Sequence, residues 1–114
     1  MARILVIDDE PMISSLINTA LTKYGETVQT ASSGMDGLKM LEDSTYDIIV
    51  TDMRMPDVDG ASVITHIRRS RHAATPVIGI SGTPWLLEKA DCNAVLPKPF
   101  PLKELVDTVN SLKC

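Results

Sequence analysis

The sequence predicts an α/β fold, a parallel sheet with helices on both faces. Three observations lead there. Short β-branched apolar runs recur at Ile4-Leu5-Val6-Ile7, Ile48-Ile49-Val50 and Val77-Ile78-Gly79-Ile80, and runs of this length read as strands buried on both faces. Stretches with apolar residues at helical spacing alternate with them, and that alternation means a parallel sheet joined by crossovers. Finally, the runs end on polar groups: Asp8-Asp9-Glu10, Asp52 and Ser81.

Taken in order, strand one covers about residues 3–7. Pro11 suits the first turn of a helix, and Ile13, Leu16, Ile17, Ala20 and Leu21 follow with the spacing of one buried face. Gly25 after Tyr24 is a natural stop. Thr27-Val28-Gln29-Thr30-Ala31 alternates polar and apolar, as a half-exposed edge strand does. Ser32 or Ser33 can cap a second helix through about Asp43, with Met35, Leu38 and Leu41 inward. Gly34 and Gly37 leave that helix a modest intrinsic propensity. After the central strand, Pro56 and Gly60 mark a loop. A third helix over about 60–71 has Val63, Ile64 and Ile67 inward, and Arg68, Arg69 and Arg71 at its negative end. A strand at 77–80 follows Pro76. Residues 82–89 allow only a turn or two of helix. A short strand at 94–96 precedes a last helix from Pro101, with a stripe of Leu102, Leu105, Val106, Val109 and Leu112. The result is five strands, four good helices and one poor one.

At 114 residues the chain fits a single domain over 1–114. A net charge of −4 argues against general nucleic-acid binding. The longest apolar runs are a few residues, too short to span a membrane. Met1-Ala2-Arg3 enters a strand directly and does not read as a signal peptide. Cys92 and Cys114 lack metal-ligand spacing and read as free thiols of a reducing compartment. Together these features favour a cytoplasmic protein.

In open α/β sheets, ligands bind just past the carboxyl ends of the strands. If strands one and three are neighbours, Asp8, Asp9 and Asp52 converge there. Such carboxylates repel and raise one another's pKa, and the usual remedy is a hard cation; Mg²⁺ suits a few carboxylates plus water and phosphate. Ser81 adds a hydroxyl, and Lys98 in Pro97-Lys98-Pro99-Phe100 adds an ammonium. This is a donor set for a metal and a phosphoryl group.

These motifs, in this order and at strand ends, resemble the receiver domain of two-component response regulators over essentially the whole chain. The resemblance rests on Asp8-Asp9, on Asp52 with its Met-Arg-Met-Pro-Asp-Val-Asp-Gly continuation, on Ser81, and on Lys98-Pro99-Phe100. It implies a flavodoxin-like five-stranded sheet in the order 2-1-3-4-5. It also implies that Asp52 is the phosphoacceptor, taking its phosphoryl group from a histidine kinase, a histidine phosphotransfer protein or a small phosphodonor. Asp9 would ligate Mg²⁺ directly and Asp8 mainly through water, with Asp52 and the backbone carbonyl of Arg54 completing the protein ligands. Lys98 and Ser81 would each hold a phosphoryl oxygen. The Lys98–Pro99 bond is expected to be cis. Output would run through contact with a downstream protein the sequence does not name, with neither membrane nor nucleic acid bound by this domain. The domain would catalyse only its own phosphorylation and dephosphorylation, and so is not an enzyme in the ordinary sense.

Two departures from the family pattern fall on its usual output face. The interval from Ser81 to Lys98 is short, so the helix between strands four and five is expected to be shortened or missing. Val95 stands where an aromatic residue is usual. Pro97 removes a backbone donor, which an edge strand tolerates. Asp57 and Asp59 read as turn formers, and His66 and His72 as surface histidines. The arginines at 68–71 read as a solvated helix end. In the family the positions of Arg54 and Thr83 tune dephosphorylation. Trp85 reads either as packing into the gap left by the short helix, the favoured reading, or as an exposed anchor for a partner. Met12 reads as a candidate contact for a partner's histidine-bearing helix or as a lone exposed apolar residue. The alternative function is a small Mg²⁺-dependent phosphohydrolase with an aspartyl-phosphate intermediate. Such enzymes favour an acid two residues after the nucleophile, where this chain has Arg54.

Overall fold

Five parallel strands form one sheet in the order β2-β1-β3-β4-β5: β1 (Arg3–Ile7), β2 (Thr27–Ala31), β3 (Ile48–Asp52), β4 (Val77–Ser81) and β5 (Ala94–Pro97). Helices α1 (Pro11–Lys23), α2 (Gly34–Asp43), α3 (Gly60–Arg68) and α4 (Leu102–Leu112) cover its two faces. This computed structural model describes residues 2–55, 57–82 and 92–112. Pro56, Thr83, Trp85, Cys114 and the poor helix expected within 82–89, apart from Gly82, lie outside the described residues. No described helix is long and apolar enough to cross a membrane.

Successive side chains of a strand point to opposite faces, so one strand feeds two cores. Ile4 and Val6 of β1 join Ile17, Leu21, Leu105 and Val109 on the α1–α4 side. Leu5 and Ile7 join Leu41, Val63, Ile64 and Ile67 on the α2–α3 side. All five residues of β3 and of β4 are buried, whereas β2 and β5 at the edges are partly exposed. Each fully buried Leu or Ile contributes about 1.5–3 kcal/mol, which makes the three central strands the rigid frame for whatever sits at their ends.

The helix ends follow local chemistry. α1 stops at Tyr24, before Gly25 with φ 89°. Of the two candidate serines, Ser33 caps α2, its Oγ accepting the Asp36 N–H at 3.1 Å. α3 ends at Arg68, three residues short of the expected end. Arg68 is half-buried, and Arg71, although exposed as expected, is also tied to the protein. The Arg68 guanidinium donates to the Ala73 and Thr75 carbonyls at 3.0 and 2.7 Å and to Asn93 Oδ1 at 2.7 Å. Arg71 donates to the Glu42 carbonyl at 2.9 Å. His72, expected on the surface, is buried with Nε2 2.6 Å from the Leu41 carbonyl. Three residues expected in the core, Leu16, Met35 and Leu102, are exposed. Leu16 and Leu102 lie at the margins of their stripes and line a groove between α1 and α4; Met35 occupies the first turn of α2.

Candidate functional site

The strand register builds the site. β1 pairs with β3 so that Ile7 lies opposite Thr51; one step further, Asp8 and Asp52 emerge side by side. Ser81 ends β4 opposite Pro97 of β5, and the Lys98 N–H donates to the Ser81 carbonyl at 2.8 Å. Asp8, Asp52 and Ser81 are buried. Asp8, Asp9, Glu10 and Asp52 each offer a carboxylate oxygen within 4.8 Å of the others. The cluster expected from sequence therefore exists, with Glu10 as an additional member. Glu10 was visible only as the third acid of its run, because its partner Lys98 is 88 positions away.

Asp8 and Asp52 are buried and Asp9 and Glu10 are open to solvent, and specific bonds fix the buried pair. Asp8 Oδ1 accepts the Glu10 N–H at 2.8 Å, while its buried Oδ2 has no hydrogen-bond partner. Burial, helped by the charge of Asp52, pushes the Asp8 carboxyl up to about 6, against the pull of the Glu10 N–H and of Lys98. Asp52 Oδ1 accepts the Arg54 N–H at 3.3 Å. Lys98 Nζ lies 3.4 Å from Asp52 Oδ2 and 3.4 Å from Glu10 Oε1. Partial burial works against the Lys98 charge, but Asp52, Asp8 and Glu10 outweigh it and hold its pKa above the usual lysine value.

The loop after β3 is pinned at both ends. Asp57 accepts the Gly34 and Met35 N–H groups at 3.2 and 3.0 Å, capping α2 from a distance. Asp59 caps α3, its Oδ1 accepting the Ser62 N–H at 2.7 Å. These two acids are thus helix caps and not only turn formers. Asp59 could have been read from its place just before a helical stretch; Asp57 carries no local signal. Close approach demands glycine at two positions. A Cβ on Gly60 would lie 2.6 Å from Met53 Cα and 2.7 Å from the Asp52 carbonyl oxygen, and one on Gly34 would lie 2.6 Å from the Val58 carbonyl. A side chain at either position would displace the loop that carries Asp52 and Arg54.

An Mg²⁺ ion suits this donor set. It is all oxygen, it holds excess negative charge, and the orphaned Asp8 Oδ2 needs a cation or a donor beside it. Val95 is partly exposed on β5, and the Lys98–Pro99 peptide is cis, as the resemblance implies. The Arg54 side chain is exposed beside the cluster.

Comparison with known proteins matches this geometry. The family model for the response regulator receiver domain matches residues 4–110. The transcriptional regulatory protein TcrA of Mycobacterium tuberculosis is 33% identical over 96% of this chain, which spans 45% of TcrA. The chain spans about half the length of the first curated relatives it matches. The receiver domain of the Francisella response regulator 1452 superposes with a TM-score of 0.91 at 32% identity, covering 98% of this chain and 96% of that one. The response regulator TrrA of Thermotoga maritima, solved in complex with Mg²⁺-BeF, superposes with a TM-score of 0.89 at 30% identity, covering 98% and 99%. A match running from the first strand into the last helix leaves one assignment: the chain belongs to the response regulator receiver domain family.

Proposed function

We propose that Asp52 accepts a phosphoryl group from the phosphohistidine of a kinase or phosphotransfer protein in the cytoplasm, and that the chain then signals by protein contact. The observation that carries this reading is the Lys98 ammonium 3.4 Å from Asp52 Oδ2, at the edge of a four-acid cluster. An Asp52 carboxylate oxygen attacks phosphorus, and the phosphorus–nitrogen bond breaks. The electron pair leaves with the imidazole, which takes up a proton. Phosphoryl transfer is largely positioning and charge neutralisation. Lys98 holds one equatorial oxygen and the Ser81 hydroxyl donates to another. Asp9, Asp52 and the Arg54 carbonyl would hold Mg²⁺ directly and Asp8 mainly through water, and the ion would offset the charge of the carboxylates and of the phosphoryl oxygens. The product is an acyl phosphate, open to water, so the mark erases itself. A downstream protein reads it through the Ser81 loop.

The partner's approach is supported by an apolar groove of about 440 Å³, lined by Ile13, Leu16, Ile17, Phe100 and Leu102, with Lys98 at its rim. Met12, 76% exposed, lies on the same helix. Docking there brings a histidine-bearing helix beside Asp52. No observation favours the hydrolase reading, and exposed Arg54 occupies the position where such an enzyme uses an acid. The test is incubation with Mg²⁺ and a small acyl phosphate, read by intact mass. One added phosphoryl group is expected, and none in Asp52→Asn. Stable label in that variant moves the acceptor elsewhere, and rapid turnover of unrelated phosphate esters would revive the hydrolase.

A further inference from the structure

We infer that Glu10 is a positioning residue for the phosphoryl group, acting through Lys98; the inference rests on Asp52 as acceptor. Glu10 is the extended residue that opens α1, yet its side chain makes no capping bond to that helix. Its backbone is fixed by the bond from its own N–H to Asp8. Its carboxylate reaches instead across the mouth of the site to Lys98, 88 positions on, at 3.4 Å. The ammonium is therefore shared equally between Glu10 and Asp52. It can turn fully to a phosphoryl oxygen only by giving up part of its pair with Glu10. The Glu10 charge also stands where a phosphoryl group enters. Both effects weigh against the phosphorylated state, so Glu10 keeps the site from filling without a strong donor.

The Glu10 side chain is 59% exposed, so the effect is modest and sensitive to salt. The probe is beryllofluoride, an anionic stand-in for the phosphoryl group that needs no phosphoryl transfer, titrated at saturating Mg²⁺ on the whole chain. Glu10→Gln is expected to tighten its binding about two- to fivefold, with the gain shrinking as ionic strength rises. The Lys98 ε-methylene NMR signals of the unliganded protein are expected to shift in the variant, a readout that a merely structural role would not move. Wild-type affinity in Glu10→Gln, unmoved Lys98 signals, or a gain that ignores salt each overturns the inference. Weaker Mg²⁺ binding by Glu10→Gln, measured by calorimetry without beryllofluoride, also overturns it, for Glu10 would then be a metal ligand. If wild type fails to bind beryllofluoride, or Asp52→Asn binds it equally, the acceptor reading fails and takes this inference with it.

Discussion

The two edges of the sheet treat charge in opposite ways. At the carboxyl edge, Asp8, Asp9, Glu10 and Asp52 crowd together and Lys98 is divided between two of them. At the amino edge, Arg68, Arg71 and His72 meet the carbonyls of Ala73, Thr75, Glu42 and Leu41, and Asn93 Oδ1 accepts from both Arg68 and the Val77 N–H. The bonds at the amino edge hold helix ends to strand starts. The carboxyl edge leaves a buried oxygen of Asp8 unmatched. A buried polar group without a partner costs stability, and the Asp8 carboxylate bears that cost inside the acid cluster.

Substitutions should therefore act with opposite signs at the two edges. The largest expected effect is Arg68→Ala, which strips donors from two carbonyls and from Asn93. It should cost about 2–3 kcal/mol in urea unfolding; a loss near zero would erase the contrast. Next, Asp8→Asn should stabilise the metal-free protein by about 1–2 kcal/mol, since it removes a buried charge beside Asp52 and keeps an acceptor for the Glu10 N–H. The same variant should lose the stabilisation that Mg²⁺ gives wild type. The pH profile sharpens this. Because the folded Asp8 holds its proton up to about pH 6, the native state binds more protons than the unfolded state between about pH 4 and 6. Metal-free wild type should lose stability as pH rises through that window, and Asp8→Asn should lack that slope. The smallest effect is Asp59→Ala, about 1 kcal/mol for a lost helix cap. The Ser62 N–H holds the Asp59 carboxyl below its usual range, as the Met35 N–H does for Asp57. These caps therefore add stability above that range and lose it as the pH falls, opposite in sign to Asp8.

The strands and their polar ends were legible because each is a local pattern. A β-branched run followed by Asp52 needs no knowledge of the rest of the chain. What was not legible depended on distant partners. Leu16 and Leu102 fit their helical stripes, but spacing reveals which residues are apolar and not which are covered. His72 looked solvated, and the Arg71 bonds went unread, because the carbonyls at and near the end of α2 that receive them lie some 30 positions away in sequence. Glu10 showed only as the third acid of its run for the same reason. Asp57 looked like a turn residue because the helix it caps comes earlier in the chain.

The Glu10–Lys98 pair spans nearly the whole polypeptide, and Asp8, Asp52, Ser81 and Lys98 come from four different strands. Only a stretch that runs from Asp8 to Lys98 carries the full set. A chain that stops before β5, or one whose β5 has slipped, brings no ammonium to Asp52. The donor set is therefore assembled only when β5 has docked beside β4.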